Sequence, residues 1–220
     1  MVSVIIPTLN EARELPATLQ RIHANPPPHE VIVVDAGSTD ETTRLAAAAG
    51  AKVLPDHARQ RAAQMNTGAS QAGGEILLLL HADTWLLPTA IQTIEQVMQQ
   101  AEVVGGAFRR RFRSPSVTLQ ITCWLADLRS RLLGWHLGDQ AIFVRREVFR
   151  KLGGFREIPI FEDLDFSRSL ARTGRVVTLG PPVVSSARRF ERLGVWRTTA
   201  RDLGLTLRYF CSPTRNSPSS

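Results

Sequence analysis

At 220 residues the chain has the length of one domain, and its 43% apolar residues suffice for a buried core, which excludes a disordered chain. The 27 Lys+Arg outnumber the 20 Asp+Glu for a formal net charge of +7, and nearly all of the excess is arginine because Lys52 and Lys151 are the only lysines. Guanidinium forks onto phosphate oxygens, so this balance suits a phosphorylated ligand, an anionic membrane surface or nucleic acid, and a codon bias toward arginine gives the same composition.

In chain order, Val2 to Ile6 reads as a strand closed by Pro7, and Asn10 to His23 carries Leu15, Leu19 and Ile22 at helical spacing. Pro26-Pro27-Pro28 is a loop. Glu30 to Asp35 is a strand apolar on both faces, as a buried parallel strand is. Thr39 to Ala49 is a helix ended by Gly50, Lys52 to Leu54 a short strand, and Arg59 to Ala72 a helix closed by Gly73-Gly74. Ile76 to Leu80 is a fourth buried strand, and Pro88 opens a helix to about Gln100. Strand and helix alternating in this way predict an α/β domain with a mostly parallel central sheet flanked by helices.

The second half is less regular. Val103 to Arg113 reads as a strand with a basic end, Val117 to Leu133 as a long helix, and Ala141 to Val144 as a strand. Arg146 to Leu152 is a short helix and Glu162 to Thr173 an amphipathic one, followed by strands at Val176 to Leu179 and Val183 to Ser186. Leu193 to Phe210 is a last helical pattern, and Ser212 to Ser220 reads as a frayed tail. The chain opens directly into a strand with no secretory signal, and its longest apolar run, Ile76 to Leu80, is too short to span a bilayer. Cys123 and Cys211 stand outside any metal-ligand spacing and are expected to stay reduced, which fits a cytoplasmic protein.

In parallel sheets, ligands bind beyond the carboxyl ends of the strands, which singles out Pro7 to Glu11, Asp35 to Asp40 and His81 to Thr84. Thr8 to Glu11 and Ser38 to Glu41 both match a helix capping box, a reading that needs no ligand. Asp35 ends an apolar strand and can accept from a base N–H or a ribose hydroxyl. Asp83, also just past a strand, offers the hard oxygen that a divalent metal bridging a diphosphate needs, or caps the turn before Pro88. Glu162, Asp163 and Asp165 crowd one helix start: either ordinary first-turn acids, or a group containing the base that takes a proton from an attacking hydroxyl.

Taken in order, these segments resemble family 2 glycosyltransferases, the inverting class with the A-type, Rossmann-like nucleotide-diphospho-sugar transferase fold. The resemblance runs through Val4 to Glu11, Val31 to Asp40, Asn66 to Glu75, His81-Ala82-Asp83 at the family's Asp-x-Asp position, and Gly153-Gly154-Phe155 followed by Glu162-Asp163. It implies one transferase domain over 1–211, with a nucleotide-binding half over 1–102 and an acceptor and catalytic half over 103–211. It further implies that Pro7, Thr8, Asn10, Glu11, Asp35 and Ser38 hold the base and ribose of the donor, commonly a UDP-sugar. His81, Ala82 and Asp83 would lie at the diphosphate, with Asp83 on Mg²⁺ or Mn²⁺. Asp163, beside Glu162, would be the base that deprotonates the acceptor hydroxyl. His81 replaces the first aspartate of the metal motif, and Leu9 stands where an aromatic residue is common. Met65 stands before Asn66 where arginine is frequent, with Arg61 one turn earlier as a substitute, and the resemblance adds Arg61 and Asn66 to the residues expected on the donor. Asp139 and Gln140 are candidates for the acceptor side or for a plain loop turn, and Arg188-Arg189 resemble an arginine-aromatic position near the diphosphate.

A nucleotidyltransferase would carry a glycine-rich basic loop after the first strand, where this chain has the acidic, glycine-free Pro7 to Glu11. A nucleic-acid binder is prompted by Arg109 to Arg113, but no accompanying motif supports it, and an anionic lipid or lipid-phosphate acceptor suits the run better. The last helical pattern interleaves Leu193, Val195, Trp196, Leu203, Leu205, Leu207, Tyr209 and Phe210 with Arg192, Arg197, Arg201 and Arg208. That pattern fits either a helix lying on a membrane or one packed on the domain with its arginines outward.

Overall fold

The computed structural model describes residues 1–56 and 58–211; the expected tail at Ser212 to Ser220 lies outside them. Four strands open the chain: β1 (Val2–Thr8), β2 (His29–Asp35), β3 (Lys52–Pro55) and β4 (Ile76–Leu79). They alternate with α1 (Leu15–His23), α2 (Thr42–Ala48) and α3 (Arg61–Ser70). The short β5 (Thr84–Trp85), then α4 (Ala90–Val97), β6 (Val103–Phe112) and α5 (Val117–Leu133) follow. A 3₁₀ turn at Gly138–Gln140 leads into β7 (Ile142–Arg145), α6 (Arg146–Lys151) and α7 (Glu162–Leu170). β8 (Arg175–Ser185), α8 (Arg188–Leu193) and α9 (Val195–Cys211) complete the fold.

The strands form one eight-stranded sheet in the order β3-β2-β1-β4-β7-β6-β8-β5. β1, β2, β3 and β4 pair in parallel, β7 runs against both β4 and β6, and β8 runs parallel to β6. Hence β1, β2, β3, β4, β6 and β8 all leave the sheet at one end, while β7 and β5 enter it there. Side chains alternate between two apolar layers, as the strand period of two demands. Val4, Ile6, Val31 and Val33 pack on Leu15, Leu19 and Ile22 of α1, whose spacing follows the helix period. Ile5, Ile32 and Val34 face Ala62, Met65 and Ala69 of α3. Gly68 lets α3 come down on the sheet, because a Cβ there would collide with Ile5 Cγ2.

Several expected boundaries shift. The two late strands are one, β8, and Pro181 and Pro182 fall where the ladder with β6 skips from Phe108↔Leu179 to Arg110↔Val183, so their missing donors break no pairing. The last helical pattern forms as one helix, α9, starting two residues late because Gly194 (φ 83°) separates it from α8, a short helix not expected from the sequence. Of its expected stripe, the side chains of Leu203, Leu207, Arg208 and Phe210 lie outside the described residues. Neither capping box forms, since α1 and α2 begin at Leu15 and Thr42 with no side-chain cap. No helix among the described residues is long and apolar enough to cross a membrane.

Candidate active site

Because so many strands end together, segments far apart in sequence meet at one mouth. The turns after β1 and β2 are stitched to each other, which is where the capping-box residues go. Asn10, at φ 55°, donates its N–H to Ser38 Oγ (2.8 Å) and accepts from Thr39 N (2.8 Å). Glu11 N donates to Thr42 Oγ1 (2.8 Å) and Ala12 N to Asp40 Oδ2 (3.1 Å). Asp35 is buried and closes the arrangement: Oδ1 accepts from Gly37 N (3.1 Å) and Ser38 N (2.8 Å), Oδ2 from Thr8 Oγ1 (3.0 Å) and Ser38 Oγ (2.5 Å). With both oxygens so occupied, Asp35 shapes the cradle formed by Thr8 and Ser38. Gln64, buried on α3, donates to Thr8 O (2.9 Å) and Val34 O (2.7 Å) and so ties the ends of β1 and β2 together. Its signal in the sequence was one amide on an otherwise apolar helix face.

β4 delivers His81, Ala82 and Asp83 to the same mouth, Ala82 buried and its carbonyl accepting from Thr18 Oγ1 (2.7 Å). Arg188, just past β8, lies across this end. Its guanidinium holds Glu11 through two hydrogen bonds (2.7 and 2.5 Å), and its Nε stands 3.3 Å from Asp83 Oδ2. Burial pushes the Asp83 carboxyl above its usual range, with Arg188 pulling the other way. Arg113, at the exit of β6, pairs with Glu14 (2.7 Å), donates to Asp83 O (3.2 Å) and stacks on the Trp85 ring. Beside these groups lies an open cavity of about 550 Å³ lined by Arg13, Glu14, Arg113, Ser186, Arg188 and Arg192. Arg189 does not reach the mouth; it pairs with Asp202. The sequence could not announce Arg188 as a bridge, because Glu11 and Asp83 become its neighbours only through the sheet.

Across the mouth stands Asp163. The Phe149–Phe155–Phe166 ring cluster seats the start of α7, with ring centroids 4.7 to 5.7 Å apart. Asp163 Oδ2 accepts from Gly138 N (2.5 Å) and Oδ1 from Leu164 N (2.7 Å). Burial, with the neighbouring Glu162 carboxylate, pushes the Asp163 carboxyl up to about 6. Arg61 Nη1 lies 3.5 Å from Glu162 Oε1, so it belongs to this side of the site. Asp165, the third acid, takes the Tyr209 hydroxyl (3.2 Å). A Cβ on Gly138 would lie 2.6 Å from His81 Nε2 and 3.1 Å from Asp163 Oδ2, so this glycine is the wall where His81 and Asp163 approach. Burial lowers His81 to about 3, leaving a neutral imidazole whose Nε2 has no internal partner.

Burial alone would raise Asp139, but the Arg110 guanidinium, bonded to its Oδ2 at 2.5 Å, holds it below the ordinary range; its Oδ1 has no internal partner. Gln140 is a buried pin, taking Arg129 Nη2 (2.9 Å) and Leu137 N (3.0 Å) and donating to Phe108 O (3.2 Å). Asn66, expected on the donor, bonds Phe155 through its amide, accepting from Phe155 N (2.8 Å) and donating to Phe155 O (2.9 Å). Of the Arg109 to Arg113 run only Arg111 is both exposed and without a carboxylate partner among the described residues. Arg110 points inward to Asp139, Arg109 pairs with Asp127, and Arg113 pairs with Glu14.

The model of the glycosyl transferase family 2 matches residues 3–153. The chain belongs to that family. Among curated relatives, this family 2 chain is 32% identical over 165 residues to the undecaprenyl-phosphate 4-deoxy-4-formamido-L-arabinose transferase of Aeromonas hydrophila, covering 66% of itself and 48% of the relative. An uncharacterised glycosyltransferase of Mycobacterium bovis is 31% identical over 140 residues, with 62% of this chain and 59% of the relative covered. The chain thus spans about half the length of the first of these. Its fold is shared with S. aureus TarS (TM-score 0.71, 18% identity, 84% of this chain and 60% of the other). It is shared too with the mannosyltransferase PcManGT of Pyrobaculum calidifontis, solved with GDP-Man and Mn²⁺ (TM-score 0.68, 24% identity, 84% and 56%). These likenesses establish the A-type glycosyltransferase fold for the family 2 domain.

Among the described residues no three His, Cys, Asp or Glu side chains converge as a metal cage. The donor set at this mouth is a single hard carboxylate, Asp83, with Glu11 across Arg188. Such a set fits Mg²⁺ or Mn²⁺ held largely by the oxygens of a diphosphate and water, since these ions accept one or two carboxylates beside substrate phosphates.

Proposed function

We propose that this domain transfers a sugar, with inversion, from a nucleotide-diphosphate donor to an acceptor hydroxyl, with Asp163 as the base. The observation that carries the reading is the Asp163 carboxyl, raised to about 6 and set across one mouth from Asp83, Glu11 and Arg188. At neutral pH such a group is mostly ionised yet basic enough to take a proton, the compromise a general base needs. Pro7, Thr8, Asn10 and Ser38 line the cradle for base and ribose, a UDP-sugar being the expected donor. Arg188 can turn from Glu11 and Asp83 toward the diphosphate. A divalent ion on Asp83, when bound, supplies charge neutralisation for the departing diphosphate.

In the transfer step, the acceptor oxygen attacks the anomeric carbon and gives its proton to Asp163. The bond from that carbon to the diphosphate oxygen breaks, and the diphosphate leaves with the electron pair from the opposite face. Glu162, tied to Arg61, keeps a second negative charge beside Asp163 and so keeps it basic. His81 Nε2 and Asp139 Oδ1 are buried polar atoms without an internal partner on this side of the site. The undecaprenyl phosphate in the name of the Aeromonas relative supports a lipid-linked acceptor, and a peripheral position on the inner face of a membrane is proposed with it. A buried Arg110 removes most of the support for nucleic acid as the partner.

Titration calorimetry of UDP with and without Mn²⁺, on the wild type and on Asp83→Ala, tests the reading. Metal-dependent binding that disappears in the variant is expected. Failure of UDP, GDP, CDP and TDP alike to bind would sink it.

A further inference from the structure

α5 buries Leu119, Ala126, Asp127 and Ser130 against the domain, yet its opposite face carries a continuous apolar stripe. Val117 is 69% exposed, Trp124 63% and Leu132 72%, with Ile121, Leu125 and Leu128 exposed between them. Their spacing of three and four residues places them on one side of the helix. A soluble surface rarely leaves so long an apolar strip bare unless something covers it. Residues 212–220 read Ser-Pro-Thr-Arg-Asn-Ser-Pro-Ser-Ser, with no leucine, isoleucine, valine, methionine or aromatic side chain to lay along it.

The charge around the stripe identifies the occupant. The helix holds one acid, Asp127, which is buried against Arg109. Arg131 on the helix and Arg111 on β6 are exposed, and among the described residues neither is paired with a carboxylate. Arg109 and Arg111 share a cavity wall with Trp124, which sets them at the edge of the stripe. Val195 packs on the cluster of Phe112, Leu119 and Ala187, bringing Trp196, 76% exposed, close to the same helix. Two copies of this face against each other would oppose like charges. An anionic bilayer meets both demands, taking the apolar stripe and the tryptophans at its boundary and the arginines at its headgroups.

We propose that α5 is a membrane-docking helix whose apolar face lies in an anionic lipid surface. The placement bears on the proposed transfer, on which its functional meaning rests. Arg129 of α5 holds Gln140, and Gln140 ends the turn whose Gly138 N–H holds Asp163. A helix lying on lipid would therefore bring a lipid-linked acceptor to the side of the site where the base stands.

The full chain is pelleted with phosphatidylcholine vesicles, with and without phosphatidylglycerol. Co-sedimentation with the anionic vesicles is expected, weakening roughly tenfold on neutral vesicles or at high salt. Trp124→Ser with Leu128→Ser and Leu132→Ser should abolish it, and Arg111→Glu with Arg131→Glu should weaken it while leaving the stripe in place. Both variants alter exposed positions, and UDP binding in solution should stay unchanged in each. Lipid binding absent from a wild type that still binds UDP overturns the docking and leaves the transfer reading intact. A wild-type dimer made monomeric by the serine variant, with no lipid binding, also overturns it and gives the face to a second copy.

Discussion

Replacing Asp163 with asparagine locks the side chain in a neutral form, so the variant isolates what ionising that carboxyl costs the fold. The carboxyl ionises at 3.8 in its ordinary setting and at about 6 in the folded chain, raised by burial and then by Glu162. Between those values the folded state keeps a proton that the unfolded state has released, so wild-type stability falls as pH rises through the window. A displacement of roughly two pH units corresponds to about 3 kcal/mol at most. Asparagine does not titrate, and any cost of turning its amide N–H₂ toward the Gly138 or Leu164 N–H is the same at every pH. The stability of Asp163→Asn relative to wild type should therefore climb by up to about 3 kcal/mol between about pH 4 and about pH 7. Urea unfolding followed by circular dichroism across that range measures the difference directly. A flat difference would defeat the burial account, because the carboxyl would then titrate as it does in water. A difference that declines toward neutral pH would mean that the Gly138 and Leu164 N–H groups outweigh burial.

Arg188→Ala leaves Glu11 and Asp83 without their counter-charge. Mn²⁺ binding in the absence of nucleotide should tighten on the order of tenfold while UDP binding weakens, and changes in the same direction would rule out Arg188 as the cation's competitor. Gly138→Ala pushes a methyl group to within 2.6 Å of His81 Nε2 and 3.1 Å of Asp163 Oδ2. Sugar transfer should drop at least ~100-fold in a steady-state assay, with a stability loss of about 1–3 kcal/mol in a thermal melt. An unimpaired variant would show that this wall yields freely.

Much of the nucleotide half was legible because apolar strands and helical spacing are local signals. Val31 to Val34 and Leu77 to Leu79 could only be buried strands, and the positions just past them proved to share one mouth. Strand direction is not local, so nothing in Ala141 to Val144 foretold that β7 runs against its neighbours. The Ser/Thr-x-x-Glu spacing at Thr8 and Ser38 suggests capping, yet both segments bond across to each other, a choice made by the pairing of β1 with β2. Pro181 and Pro182 suggest a strand break where the ladder merely skips. Asn66 was legible as part of a motif, but its work on Phe155 depends on a partner 89 residues away. Arg188 stood out in the sequence only by resemblance, paired with Arg189 near the diphosphate; its hold on Glu11, 177 residues away, was not legible.

The reversed run of β7 has a consequence for how relatives of different length can share this scaffold. The chain turns in at Gly138–Gln140 on the same rim where β1, β2, β4, β6 and β8 turn out, so the loops proposed for acceptor and donor are neighbours there. The opposite rim is clamped: Glu30 accepts from Gly73 N (2.6 Å) and Gly74 N (3.1 Å), and Arg146 donates to Ala72 O (2.7 Å). Added sequence can therefore enlarge or re-aim the first rim without disturbing a single ladder bond, whereas an insertion at the second would tear open the hinge between α3 and β4. Diversity in what is transferred, and to what, has a physical address on this fold, and stability has another.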